Sequence, residues 1–117
     1  MNVEEIRDFC LSFPQAEENS PWSNPKYADL ITFTIEGKWF CLLDPDKKFV
    51  DIKCSPQTIQ EMLSHYNGAF PAWHMNKEHW LGINIESDIP DKKIKELITI
   101  GYNLIKSKLP GKLNPRV

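Results

Sequence analysis

Between Leu30 and Cys54 the hydrophobic period is two. Ile31, Phe33 and Ile35 alternate with Thr32, Thr34 and Glu36, the pattern of a half-buried strand. Gly37 supplies a hairpin turn, Trp39 to Leu43 is apolar on both faces like a central strand, and Asp44-Pro45-Asp46 reads as the next turn. A third strand follows from Phe49 to Cys54, with Val50, Ile52 and Cys54 on one face and Asp51 and Lys53 on the other. Three antiparallel strands with one apolar face must be covered by helices. That requirement governs how the rest of the chain is read.

Asn2 and Glu5 form a capping-box pattern, and Val3, Ile6, Cys10 and Phe13 recur at helical spacing, so a first helix is expected from about residue 3 to 12, stopped by Pro14. Gln15 to Tyr27 is polar and broken by Pro21, Asn24 and Pro25, which predicts a connecting loop pinned by Trp22. Ser55-Pro56 opens a second helix with Ile59, Met62, Leu63 and Tyr66 on its stripe, and Gly68 is placed to end it in the left-handed conformation. The stretch FPAWHMNKEHW, Phe70 to Trp80, is the densest in side chains that both pack and hydrogen-bond. Its ends read as strands, 70–74 and 80–85, joined by a turn around Asn76 to Glu78. Pro90 opens a last helix whose stripe is Ile94, Leu97, Ile98, Gly101, Leu104 and Ile105. Gly101 costs that helix ~1 kcal/mol against Ala, which implies close approach of its backbone to the sheet. The expected fold is therefore α+β over one domain, residues 1–117: a five-stranded antiparallel sheet in the order α-β-β-β-α-β-β-α, with the first and last helices on one face.

The 41% hydrophobic and 26% charged residues are those of a chain with a packed core. The start MNVEEIRDF is acidic where a signal peptide would be basic and then apolar, and no apolar run reaches the ~20 residues of a membrane helix, so a cytoplasmic protein with no membrane partner is expected. Cys10, Cys41 and Cys54 are odd in number and lie in apolar segments, as buried reduced thiols do. His74 and His79 are five residues apart, which suits neither a helix face nor a zinc finger. No phosphate-binding glycine motif is present, and nothing marks Cys54 as an activated nucleophile. No metal, no cofactor and no enzymatic activity are expected, and the chain is expected to be a monomer.

Charge is unevenly distributed along the sequence. The net charge is −2, but residues 1–90 hold 14 acidic and 7 basic groups, net −7, and residues 91–117 hold 2 and 7, net +5. Candidate binding residues are Lys53, His74, Asn76, Lys77 and His79, with Lys92, Lys95 and Lys106 along one side of the last helix. The plainer reading of the same residues is solvated charge and structural histidine.

The succession FP, PW, EGKWFCLLD, IKC, HMNKEHW, a helix started by PD and a closing KLP resembles the MmcQ/YjbR-like family along essentially the whole chain. The resemblance implies a compact α+β fold similar to the bacterial frataxin CyaY and a "double wing" arrangement associated with binding double-stranded DNA. By position, the hairpin at Gly37 and the one around Asn76 are the wings, with Lys38, Lys77 and His79 nearest a partner. The acidic body restricts the expectation to weak, salt-sensitive binding. The alternative is a non-enzymatic ligand- or protein-binding module with a frataxin-like fold. Such a module would use the acidic face Glu4, Glu5 and Asp8, or the region of Trp22, Trp73 and His74.

Overall fold

The chain opens, in the computed structural model, which describes residues 1–20, 26, 29–72 and 75–109, with helix α1 (Val3–Leu11). The capping box forms as expected: the Asn2 side chain accepts the Glu5 N–H at 2.8 Å and the Glu5 carboxylate accepts the Asn2 N–H at 2.9 Å. There follow β1 (Ala16–Asn19), β2 (Ile31–Ile35), β3 (Lys38–Asp44) and β4 (Phe49–Lys53). Helix α2 (Pro56–His65), β5 (Ala69–Pro71), β6 (Trp80–Asn84) and helix α3 (Asp91–Lys106) complete the described elements. The strands form one sheet in the order β1-β2-β3-β4-β6-β5. Every neighbouring pair is antiparallel.

The sheet has six strands rather than five. The extra one, β1, has the sequence Ala-Glu-Glu-Asn and lies within the stretch expected to be loop. It carries no apolar alternation because it is an exposed edge, joined to β2 by the ladder from Ala16↔Ile35 to Asn19↔Thr32. Two threonines of β2 reinforce it: the Thr32 hydroxyl donates to the Asn19 carbonyl and the Asn19 amide donates to the Thr34 hydroxyl, both at 3.1 Å. Glu17 and Glu18 leave this edge charged, which discourages strand addition.

Gly68 does not end α2 in the left-handed region. The helix stops at His65, and Tyr66 is extended with φ −127°. The next turn is held from a distance, since the Asp88 carboxylate accepts the N–H groups of Asn67 and Gly68 at 2.8 and 2.7 Å. Gly68 is needed for space, because a Cβ there would collide with the Ser87 side chain. β5 also ends earlier than expected, at Pro71.

All three helices contribute to one core on one face of the sheet, built on Ile6, Phe33, Val50, Ile52, Ile59, Leu81 and Leu97. α1 and α3 share that face, as expected. A register shift between Phe33 and Thr34 in the β2/β3 pairing turns Phe40 into the same core. There the Phe13 ring stacks on Tyr102 at 4.4 Å and meets Phe40 edge-on at 6.0 Å, while the Tyr102 hydroxyl donates to the Pro14 carbonyl at 2.8 Å. The opposite face carries a smaller cluster of Leu30, Leu42 and Phe49, flanked by Trp39, Phe70 and Met75, and no helix residue joins it among the described residues. No helix among the described residues is long and apolar enough to cross a membrane.

Candidate nucleic-acid interface

Strand register fixes which charged residues share an end of the molecule. Lys38 pairs with Ile35 at the β2–β3 hairpin, where Glu36 (φ 52°) and Gly37 (φ 76°) both take positive φ, as a tight two-residue turn demands. Lys53 ends β4 opposite Trp80, the first residue of β6. Cys54 then donates its N–H to the His79 carbonyl at 2.9 Å, tying the β5–β6 turn to the end of β4. Within that turn Asn76 is a scaffold: its side chain accepts the Glu78 N–H at 2.8 Å and its carbonyl accepts the His79 N–H at 3.2 Å. Lys77 and His79 are exposed on it.

Helix α3 starts at the far end, after β6, and returns over the sheet. Its Gly101 passes so near β4 that a Cβ would stand 2.9 Å from the Lys53 carbonyl oxygen and 3.0 Å from Ile52 Cγ2. At 1.5 Å rise per residue, Lys106 therefore reaches the end that already holds Lys38, Lys53, Lys77 and His79. Lys108 joins them, since its charge and, more strongly, burial hold the Lys53 ammonium below its ordinary pKa. Lys53 itself lies over the Trp80 ring, 5.3 Å from its centroid. Lys38, Lys77, Lys106 and Lys108 form no ion pair among the described residues.

The lysine stripe of α3 is divided by this geometry. Lys92 and Lys95 lie in its first half: Lys92 follows Asp91, which takes the Met1 amino group at 2.6 Å, and the Lys95 ammonium lies 5.8 Å from the centroid of Phe9 on α1. Charges of both signs meet at that end: Asp44 closing β3, Asp46, Lys47 and Lys48 in the β3–β4 turn, Glu86 and Asp88 after β6, and Asp91 beside Lys92 and Lys93. His74, Trp22, Trp73 and the closing residues 110–117 lie outside the described residues. Lys108 was legible in the sequence only as a helix-end cation.

One residue of the sheet lies on the face its period assigns and is nevertheless covered. Asp51 alternates with Val50 and Ile52 and so faces away from the helices, and it is 0% exposed. Its cross-strand neighbours are Leu42 and Gly82, and the Phe70 ring lies where a Gly82 side chain would be. Neither carboxylate oxygen has a hydrogen-bond partner among the described residues. Burial, and after it the charge of Asp44, push the carboxyl up to about 7.

The rival chemistries find less in the geometry. Glu5 is committed to the α1 cap, and among the described residues no group of three or more His, Cys, Asp or Glu is arranged to hold a metal ion. Burial pushes the Cys54 thiol up to about 12, so it is protonated and unreactive near neutral pH. The Cys41 thiol is raised as well, first by its hydrogen bond with Cys10 and then by burial.

Comparison with known proteins places this architecture among relatives. The YjbR family model matches residues 11–104. Escherichia coli K12 YjbR is 23% identical over 114 residues, covering 94% of this chain and 92% of its own length. Bacillus subtilis YyaQ is 33% identical over 99 residues, covering 74% of this chain and 82% of its own. Among solved structures, the Deinococcus radiodurans protein DR2400 superposes with a TM-score of 0.81 at 22% identity, over 92% of this chain and 80% of that one, a likeness of fold. The crystal structure of a Pseudomonas syringae protein gives a TM-score of 0.74 at 26% identity, over 89% and 98%.

Proposed function

We propose, on the premise that this chain belongs to the YjbR family, that it binds the phosphate backbone of duplex DNA weakly through its basic end. The observation that supports this reading is the convergence of Lys38, Lys53, Lys77, Lys106 and Lys108, with His79, from two hairpin turns, one strand end and one helix end. Each belongs to a different part of the sequence. Backbone contacts of this kind position a partner without reading bases, so sequence preference is slight. Neutralising three or four phosphates corresponds to a slope of log K against log salt of about −3 and a Kd no tighter than ~10⁻⁵ M at physiological salt.

The test is fluorescence anisotropy of a labelled mixed-sequence duplex over a range of salt. Lys77→Ala is expected to flatten the slope by about one, and a Lys38, Lys77, Lys106 triple Ala variant to lose measurable binding. A Lys92, Lys95 double Ala variant keeps both affinity and slope, because those lysines stand at the other end. Absence of binding at low salt, or a triple variant that binds like wild type, overturns the reading.

A further inference from the structure

Asp51 and Lys53 are two residues apart on β4 and face the same side of the sheet, so their Cα atoms are about 7 Å apart and a lysine side chain spans the gap. The two do not meet. The Lys53 ammonium rests over Trp80, its cross-strand partner, while both oxygens of Asp51 are without a partner among the described residues. A carboxyl so enclosed is stable in its neutral form and strongly disfavoured as an unpaired anion.

The charged groups facing the pair decide which cation an ionised Asp51 can recruit. β3 contributes Asp44, which repels a charge on Asp51. β6 and β5 contribute Trp80, Gly82 and Phe70, which offer no counter-charge. Beyond α3, Lys108 repels the Lys53 ammonium and so favours its leaving the basic end. On this face Lys53 is the cation nearest Asp51 in the strand register among the described residues. We propose that Asp51 and Lys53 form a proton-controlled switch: loss of the Asp51 proton draws the Lys53 ammonium off the Trp80 ring and onto the carboxylate.

The exchange is favourable in each state for a distinct reason. With Asp51 neutral, the half-buried lysine keeps its cation–π contact with the Trp80 ring, which offsets part of its lost hydration. With Asp51 ionised, leaving that contact costs less than leaving a buried charge uncompensated. Withdrawal of Lys53 also removes one cation from the basic end, so polyanion affinity should fall as pH rises through neutrality. That consequence rests on the proposed DNA binding; the switch does not.

The experiment is NMR on the full chain from about pH 5.5 to about pH 8.5, spanning the range in which a raised carboxyl titrates. The Lys53 Hε protons are expected to show an upfield ring-current shift and a nuclear Overhauser contact to Trp80 at the acidic end. Both disappear with a midpoint near 7, together with titration of the Asp51 carboxyl carbon, which needs no variant. Asp51→Asn, isosteric with the neutral acid, keeps the shift and the contact throughout. Histidine changes charge in the same range, so His79→Gln serves as a control and should switch like wild type. A wild-type Lys53 signal that does not change with pH, or one that changes equally in Asp51→Asn, overturns the proposal. Duplex binding measured at the two ends of the range separates the two ideas: a switch seen without DNA binding upholds the switch and removes the DNA reading.

Discussion

At Asp51 the sheet encloses a carboxyl that neither solvent nor a described donor reaches, and this has a thermodynamic sign. Its folded-state value of about 7 lies above the ~3.9 of an unfolded aspartate. The protonated group therefore contributes stability that is fully present below about pH 4 and is lost as pH rises through about 7. Asp51→Asn should abolish that decline and be more stable than wild type above neutrality by up to a few kcal/mol, less whatever the Lys53 pair recovers. Urea midpoints of the two proteins at acidic and alkaline pH check this; parallel pH profiles would contradict it. The sequence showed Asp51 sharing a face with Lys53, and it does. What the alternation could not show is that this face too is covered, since period two reports which residues point the same way and not what they meet. Asp88 was equally illegible: its role depends on a contact 20 and 21 residues away with the N–H groups of Gly68 and Asn67.

Among the elements, those with a strong period were readable and those held by context were not. The strands 31–35, 38–44 and 49–53 and all three helices sit where their apolar spacing put them. β1 did not, because an edge strand that pairs through its backbone and two threonines needs no hydrophobic signal. The turn after α2 is the other such case. Asp88 is held below the usual carboxylate range by the N–H groups of Asn67 and Gly68, so its contribution is present above the unfolded pKa and is lost as pH falls. Asp88→Ala should speed hydrogen exchange at the Asn67 and Gly68 amides while leaving the β3/β4 ladder protected. Gly101, by contrast, was interpretable from sequence alone, as the one glycine in an apolar helical stripe. With the Lys53 carbonyl 2.9 Å from where its Cβ would be, Gly101→Leu should destabilise by more than about 1 kcal/mol through overpacking. A denaturant midpoint equal to wild type would refute the close contact.

Over the whole molecule, the candidate interface was legible as residue types and only half legible as a place. Lys38, Lys53, Lys77, His79 and Lys106 were individually visible, but Lys92 and Lys95 share a helix face with Lys106 and still belong to the opposite end. Helical periodicity gives direction around an axis; it takes the sheet register to say which end of the axis meets the hairpin turns. The same register has a physical consequence beyond any single contact. Five lysines against Glu36 and Glu78 at one end of the strands, and carboxylates mixed with Lys47, Lys48, Lys92 and Lys93 at the other, give a molecule of net charge −2 a modest electric dipole, positive at the Lys38 end. In the field of a polyanion such a body feels a torque as well as net repulsion, and the torque favours approach with the lysine end first. Its encounter rate at low ionic strength should therefore exceed that of a protein with the same net charge spread evenly. Added salt, whose screening length at physiological strength is ~8 Å, removes the alignment before it removes the contacts.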